Sequence, residues 1–226
     1  MVRNRTVQLV FQSCFCALGM MGIVASMGLF KMTFYWDFYV YFTNLSNYLC
    51  IGVMLTELIQ TIRKRDDSFV TAAPKMKFIG MMSIVLTFLV FNLLLAGSPD
   101  RNPEDNFTVN SILFHMVLPI AYVADWVLFY ERKKTRWTDA LLCTAFPLSY
   151  LSFLAVHALA LGFNTDILNS GGARPLIYPY FFVDVDQLGW GGVGTWVLIL
   201  SGCFIVTGFL FFGLDHLLGR KKKMSV

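Results

Sequence analysis

The feature that most constrains this chain is a series of six apolar stretches, each long enough to cross a bilayer as an α-helix. A spanning helix needs about 20 mostly apolar residues to cross about 30 Å of hydrocarbon. Neither a linker nor an internal repeat separates the stretches, so residues 1–226 are expected to form a single domain. The sequence therefore predicts an all-α, polytopic membrane protein folded as a six-transmembrane-helix bundle. The predicted helices lie near 7–30, 39–62, 78–97, 109–130, 138–162 and 193–217.

Composition and charge support this class and orient the bundle. The chain is 57% hydrophobic and 14% charged, whereas soluble domains are about a quarter charged. Of its 18 Lys and Arg residues, 15 fall on one side of the predicted bundle, in the even connections and at both termini. The positive-inside rule places that side, with both termini, in the cytoplasm. The net charge of +4 thus reflects the topology, and no nucleic-acid partner is expected. The basic tail at 220–223 is expected only to anchor the last helix.

One connection is much longer than the others. The segment 163–192 between the fifth and sixth predicted helices is rich in aromatic and glycine residues. Loops of this length in compact proteins are usually functional or disordered, and aromatic content favours packing. A structured external loop is therefore predicted there, with Tyr178, Tyr180, Phe181 and Phe182 covering the outer mouth of a cavity.

Few ionisable residues fall inside the predicted helices, and such residues usually have a function. Glu57 and Asp215 lie near cytoplasmic helix ends, where we expect both to reach water. Asp125 lies deep in the fourth helix, so we expect it to be structural and to have a polar partner on another helix. Tyr150 is a candidate for that partner. The full set is Glu57, His115, Asp125, His157, Asp215 and His216.

Two residues of complementary chemistry lie at matched depth. Thr43, His115 and His157 all fall about 6 to 9 Å below the outer interface, at 1.5 Å per residue. Asp125 is about 15 Å deeper, which excludes a direct bond to His115 along one straight helix. A hydroxyl nucleophile needs a base within hydrogen-bond reach, and a neutral imidazole is the usual one. The pattern indicates Thr43 as a nucleophile and His115 as its base.

The stretch "YFTNLSN" places four polar side chains at the start of the second helix. At 100° per residue Thr43 and Asn47 share one face, which Asn44 and Ser46 flank. One interpretation is hydrogen bonding between membrane helices. The other is an active site, in which the amides of Asn44 or Asn47 stabilise an oxyanion.

Further residues are expected to line this cavity at its outer mouth. Asp184 and Asp186 would form a polar rim near His157, but two carboxylates are too few to indicate a calcium site. No metal site and no cofactor are predicted. The expected cavity-lining residues are Ser46, Tyr150, His157, Tyr178, Tyr180, Asp184 and Asp186.

Three strings, "YFTNLSN", "FHMVLPIAYVADW" and "YPYFFVDVD", resemble a bacterial family of multi-pass membrane proteins of unassigned function. That family is distantly similar to the androgen-induced-gene family of six-span membrane threonine hydrolases, which cleave fatty acid esters of hydroxy fatty acids. The resemblance implies that Thr43 and His115 are the catalytic Thr and His, and that the chain lies in a bacterial cytoplasmic membrane. Asp125 and the 178–186 string depart from the hydrolases, so no role is carried onto them.

Three functions are compatible with these residues. The first is an intramembrane lipid-ester hydrolase, acting from the outer leaflet on a lipid or fatty acid ester. The second is a small-molecule or lipid transporter or binding protein that uses the same polar cavity, although no internal repeat of the transporter kind is found. The third is a lipid acyltransferase, which shares the nucleophile. The sequence leaves the oligomeric state open.

Overall fold

The computed structural model describes residues 4–64, 73–98, 102–162 and 176–219. Within these ranges the chain forms six helical spans that are long and apolar enough to cross a membrane, which fits an integral multi-pass membrane protein. The predicted all-α, six-helix architecture is confirmed. The spans are Arg5–Ser26, Phe42–Arg63, Pro74–Leu95, Val109–Phe129, Trp137–Leu161 and Val185–Leu218.

Four of the spans are not single regular helices, and the sixth is one of them because it is kinked at Gly189. The third is an α-helix that ends in a π turn, the fourth contains a π turn between two α-helical parts, and the fifth breaks between two α-helices. Short 3₁₀ turns lie in the connections. The α-helices of the third, fourth and fifth spans are Pro74–Val90, Val109–Ile112, Leu118–Phe129, Trp137–Leu142 and Ala145–Gly162; the π turns are Phe91–Leu95 and Leu113–Val117; and the 3₁₀ turns are Leu29–Lys31, Pro103–Phe107 and Phe181–Val183.

Successive spans run in opposite directions, which gives the bundle two distinct ends. At one end Arg5 Nη2 donates to the carbonyl oxygen of Thr61 at 3.0 Å. At the other, the hydroxyls of Ser26 and Tyr48 are 2.7 Å apart. We call the end that carries Arg5 and Arg63 the basic end, and the end where the second span begins the Thr43 end.

The main core lies between the first four spans and is closely packed. Its largest buried side chains include Phe15, Phe114, Tyr122 and Trp126. Because lipid is as apolar as these side chains, close packing rather than exclusion of water holds such spans together. Gly22 makes this possible, since a Cβ there would stand 2.2 Å from the ring of Phe114. A smaller cluster joins the second and fifth spans to the 176–184 segment at the Thr43 end.

The sixth span begins earlier than predicted. It starts at Val185 rather than near residue 193, because Asp184 caps it by accepting a hydrogen bond from the backbone N–H of Gln187 at 3.0 Å. The glycine-rich string favoured a loop, and only Gly189, at φ 64°, interrupts the helix. The predicted 163–192 loop is therefore shorter, and its part at 163–175 lies outside the described residues.

The third span also begins earlier, and this changes the role of three charged residues. It starts at Pro74, so Lys77 lies within the span rather than in a connection, and only 1% of it is exposed. Its ammonium group contacts carboxylate oxygens of both Glu57 and Asp125. We call these three residues the Lys77 cluster. The expectation that Glu57 reaches water is wrong, because Lys77 holds it in the interior.

Asp125 has its expected polar partner on another helix, and that partner is Lys77. Tyr150, the candidate from the sequence, is engaged elsewhere, since its hydroxyl donates to the carbonyl oxygen of Val40 at 2.8 Å. Asp215 is fully buried instead of reaching water. Its carboxylate accepts hydrogen bonds from the backbone N–H groups of Lys133 at 3.0 Å and Thr135 at 3.4 Å, which fastens the 130–136 connection to the sixth span.

Candidate active site at the Thr43 end

Thr43 and His115 line the same cavity, which has a volume of about 530 Å³. We call it the Thr43 chamber. Its size is within the range of small-molecule sites, roughly 300 to 1,000 Å³. The second, third and fourth spans form its walls, together with the connections at this end of the bundle. Its lining includes Ser26, Tyr35, Asp37, Phe38, Tyr41, Thr43, Asn44, Phe91, Leu95, Ser98, Asp105, Thr108, Asn110, Ser111, His115, Pro179, Tyr180 and Phe181.

The imidazole of His115 is held in one orientation and one tautomer. Its Nδ1 lies 3.0 Å from the backbone carbonyl oxygen of Ser111 and 3.3 Å from the Ser111 hydroxyl. Because a carbonyl oxygen only accepts, Nδ1 carries a hydrogen, and in the neutral ring the lone pair is then on Nε2. The ring of Phe91 stacks on the imidazole, with ring centroids 3.7 Å apart and planes within 12°. His115 therefore has the form of a general base.

His115 stands in the middle of the π turn Leu113–Val117. The backbone N–H of Leu118 donates to the carbonyl oxygen of Leu113, and Pro119 has no N–H to give. The carbonyl of Phe114 therefore gets no hydrogen bond from either residue, and Asn47 Nδ2 donates to it at 3.0 Å. In a regular α-helix Pro119 would instead leave the carbonyl of His115 without its hydrogen bond. In the π register that effect falls one residue earlier.

Thr43 lies in the first turn of the second span, where backbone N–H groups have no partner within the helix. The hydroxyl of Tyr180 occupies this position. It accepts a hydrogen bond from the backbone N–H of Thr43 at 3.4 Å. Burial raises the pKa of Tyr180, which keeps its hydroxyl protonated and able to donate. Thr43 thus sits beside a proton donor at the positive end of a helix.

The polar stripe on the second span divides into two roles. Asn47 Nδ2 donates to the carbonyl oxygens of Thr43 at 2.8 Å and Phe114 at 3.0 Å, so neither of its hydrogens is left for an oxyanion. Ser46 is fully buried and joins the second span to the third through the Thr87 hydroxyl at 2.8 Å. These two residues hold helices together. Asn44 donates to the carbonyl oxygen of Phe38 at 2.6 Å and faces the chamber, as Thr43 does.

A second, narrower cavity of about 80 Å³ adjoins the chamber. We call it the apolar slot. Thr43, Tyr180 and Leu95 line both cavities, so Thr43 lies where a polar space and an apolar space meet. The other residues that line the slot are Phe42, Leu86, Thr87, Val90, Thr144, Pro147, Leu148, Tyr150, Leu151, Phe182, Val183, Val197, Leu200, Ser201 and Phe204.

The remaining expected lining residues divide between these cavities and other places. Tyr180 and Phe181 line the chamber, while Tyr150 and Phe182 line the slot. Ser46 lies between helices. Four others line neither of these two cavities. His157 Nε2 lies 3.0 Å from the carbonyl oxygen of Leu176, Tyr178 packs in the smaller core cluster, Asp184 caps the sixth span, and Asp186 is exposed.

Some site residues were missed by reasoning from the sequence. Ser111 precedes His115 by four residues, a helical spacing that could have indicated the contact. Phe91 gave no such signal, because its stacking depends on how the third and fourth spans meet. Among the described residues, no three His, Cys, Asp or Glu side chains are grouped as metal ligands.

No family model, curated protein or solved structure matches the chain. Its function is therefore inferred from the geometry at Thr43 and His115.

Proposed function

We propose that this protein is an intramembrane hydrolase of lipid esters, with Thr43 as the nucleophile and His115 as the general base. One observation carries the proposal: Thr43 lines a chamber together with a histidine whose Nδ1 hydrogen is held by the Ser111 carbonyl. A threonine hydroxyl is a weak nucleophile until a base takes its proton. The resemblance of "YFTNLSN" and "FHMVLP" to membrane threonine hydrolases points to the same pair.

The proposed reaction has two steps. In the first, His115 Nε2 takes the Thr43 proton as Thr43 Oγ1 bonds to the ester carbonyl carbon. The C–O bond to the alcohol breaks, and the alcohol leaves with the proton from His115. In the second step His115 takes a proton from water, the resulting hydroxide attacks the acyl-Thr43 ester, and the fatty acid leaves as Thr43 regains its proton. The alternative acyltransferase would use a lipid alcohol in place of water.

Negative charge on the carbonyl oxygen would be stabilised at the start of the second span. The helix dipole favours an anion there, and the Tyr180 hydroxyl, which accepts from the backbone N–H of Thr43, would donate its own hydrogen to the oxyanion. Asn44 also lines the chamber, and only one of its two amide hydrogens is used by the carbonyl oxygen of Phe38. We assign the oxyanion to these groups and not to Asn47, whose hydrogens are both used.

The apolar slot supports a lipid substrate. An acyl chain there would meet side chains such as Val90, Leu151 and Phe204. The ester carbonyl would then lie at Thr43, and the alcohol part would lie in the chamber. The chamber is at the Thr43 end and the slot extends from it into the middle of the bundle, while the Lys77 cluster packs the basic end. This arrangement speaks against the alternative of a transport path from one face to the other.

We further propose that both termini are cytoplasmic, in a bacterial cytoplasmic membrane, and that the chamber and the 176–184 segment face outward. The asymmetry of Lys and Arg supports this orientation. On intact cells, an impermeant thiol reagent should label a Trp36→Cys variant more than the parent protein. It should leave Lys134→Cys at the level of the parent. The reverse pattern would invert the topology.

The catalytic proposal is tested by labelling the purified protein with a fluorophosphonate lipid probe. Wild type should be labelled and Thr43→Ala should not. Thr56→Ala is the matched control, because Thr56 is on the same span but exposed, with its hydroxyl bonded to the carbonyl oxygen of Gly52. Equal labelling of wild type and Thr43→Ala would overturn the proposal. Release of free fatty acid or of a new ester distinguishes hydrolysis from acyl transfer.

A further inference from the structure

We infer that the acyl group of the substrate is a medium-length chain of about six to ten carbons, and that Phe204 at the deep end of the apolar slot sets this limit. This inference rests on the proposed function, since it describes the part of the ester that lies in the slot when the carbonyl carbon is at Thr43. It makes Phe204 a residue that determines specificity without lining the chamber.

The slot runs from the chamber toward the basic end and stops at one level on three spans. Its deepest lining residues are Leu86 on the third span, Thr144 on the fifth and Phe204 on the sixth. Phe204 belongs to the main core and only 3% of it is exposed. Lining residues nearer the chamber, such as Val90 and Leu200, pack in the smaller cluster instead. The slot therefore ends where the main core begins.

One turn closer to the basic end, the fifth and sixth spans are in contact. Gly208 follows Phe204 by four residues and Ala140 precedes Thr144 by four, which is about one turn along each span. A Cβ at Gly208 would stand 2.9 Å from the carbonyl oxygen of Ala140, so the two spans leave no space between them at this level. A chain that enters from the chamber thus has no path beyond Phe204 between these spans.

The length and the volume of the slot both limit the chain. On the third span, Leu95 at the chamber and Leu86 at the deep end are nine residues apart, which is about 13 Å at 1.5 Å per residue. An extended chain of about ten carbons has this length, because C–C bonds of about 1.5 Å advance it by about 1.3 Å each. The volume of about 80 Å³ has room for about five to eight waters at about 10 to 15 Å³ each, and a methylene is about the size of a water.

Fit rather than burial ranks chains of different length. Lipid is as apolar as the slot, so a longer chain gains no hydrophobic free energy when it leaves the bilayer. A chain longer than the slot either holds its carbonyl short of Thr43 or must displace Phe204. One methylene too many in an apolar pocket lowers kcat/KM by about tenfold or more. We therefore expect a sharp upper limit on chain length.

The test compares octanoyl, dodecanoyl and hexadecanoyl glycerol, each at the same mole fraction of nanodisc lipid so that partition into the bilayer does not rank them. The full chain should cleave the octanoyl ester with a kcat/KM about tenfold or more above that of either longer ester. Phe204→Ala opens the deep end, so kcat/KM for the dodecanoyl ester should rise to within about twofold of that for the octanoyl ester. Phe209→Ala is the matched control, because Phe209 is on the same span but exposed and lines neither cavity.

If Phe204→Ala does not fold, Phe204→Leu keeps an apolar side chain there and should still narrow the difference between the octanoyl and dodecanoyl esters. Equal cleavage of all three esters by wild type, or a preference for the hexadecanoyl ester, overturns the inference and leaves the hydrolase proposal standing. A chain-length profile that the Phe204 variants leave unchanged overturns the assignment to Phe204. If no ester is cleaved faster by wild type than by Thr43→Ala, the hydrolase proposal fails and the inference fails with it.

Discussion

The two ends of the bundle bury polar groups in opposite ways. At the basic end the Lys77 cluster places a full cation between two carboxylates, and all three residues are at most 2% exposed. The ring of Tyr122 covers the ammonium group at 4.8 Å. At the Thr43 end hydroxyls, amides and an imidazole surround open space, and the two carboxylates that line it, Asp37 and Asp105, are half-buried and exposed rather than buried.

The difference shows what each arrangement can do. Buried charges are tolerated only where each is matched and the surroundings are tight, so the Lys77 cluster leaves little room for a ligand. A Cβ at Gly80 would stand 3.1 Å from the Tyr122 hydroxyl and 3.2 Å from the Cys50 sulfur. Neutral polar groups are less costly to leave beside a cavity. This difference supports the proposal that any chemistry takes place at the Thr43 end, while the basic end holds the spans together.

The largest expected effect is on activity at the Thr43 end. Thr43→Ala and His115→Ala should each lower kcat/KM for ester cleavage by about three orders of magnitude or more. The double variant should lose no more than either single one, because the two residues act as one unit. Thr43→Ser should keep part of the activity. His157→Ala is the matched histidine control, since His157 is at the same end and lines neither cavity. Additive losses of activity in the double variant would contradict the proposal that Thr43 and His115 act as a pair.

The next effect is on stability at the basic end. Lys77→Met leaves two buried carboxylates facing each other and should lower the free energy of unfolding by about 3 to 5 kcal/mol. Replacing all three residues, as Glu57→Leu/Lys77→Met/Asp125→Leu, should recover most of that loss. Unfolding in mixed micelles measures both variants. Lys75→Met is the matched control, because Lys75 is exposed on the same span. If Lys77→Met folded normally but lost ester cleavage, the division between the two ends would be wrong.

A smaller effect concerns the packing of the first span against the fourth span next to His115. Gly22→Ala would push on the ring of Phe114, the residue before His115, and should lower the free energy of unfolding by about 1 to 3 kcal/mol. Gly52→Ala is the control, because a Cβ there meets nothing within 4 Å and helix propensity favours Ala by about 1 kcal/mol. Equal stability of the two variants would mean that the first and fourth spans pack less closely than the structure shows.

The sequence anticipated the six spans, because they follow from hydropathy and length, and it placed Thr43 and His115 at the end of the bundle where they line one cavity. It did not anticipate the Lys77 cluster. A span was taken to start where charge ends, so Lys77 was assigned to a connection and Glu57 to water. Only the contact between helices reveals that the two charges neutralise each other. The split of the polar stripe, with Ser46 and Asn47 as structural residues, likewise depended on which helix faced each residue.

The smallest expected effect tests whether the 176–184 segment contributes to the chemistry or only covers it. Tyr180→Phe removes the hydroxyl that bonds to Thr43 and to the start of the second span, at a cost of about 1 kcal/mol in stability. If that hydroxyl also donates to the oxyanion, kcat should fall by about tenfold or more while KM changes little. Tyr178→Phe is the matched control, because Tyr178 lies two residues away and lines neither cavity. Burial raises the pKa of Tyr180, so its hydroxyl keeps its proton in alkaline solution. The rate of ester cleavage by wild type should therefore not decline as pH rises to about 10, the ordinary pKa of tyrosine. A rise in KM with kcat unchanged would instead make Tyr180 a residue that binds substrate, and the oxyanion would then rest on Asn44 and the helix N-terminus alone.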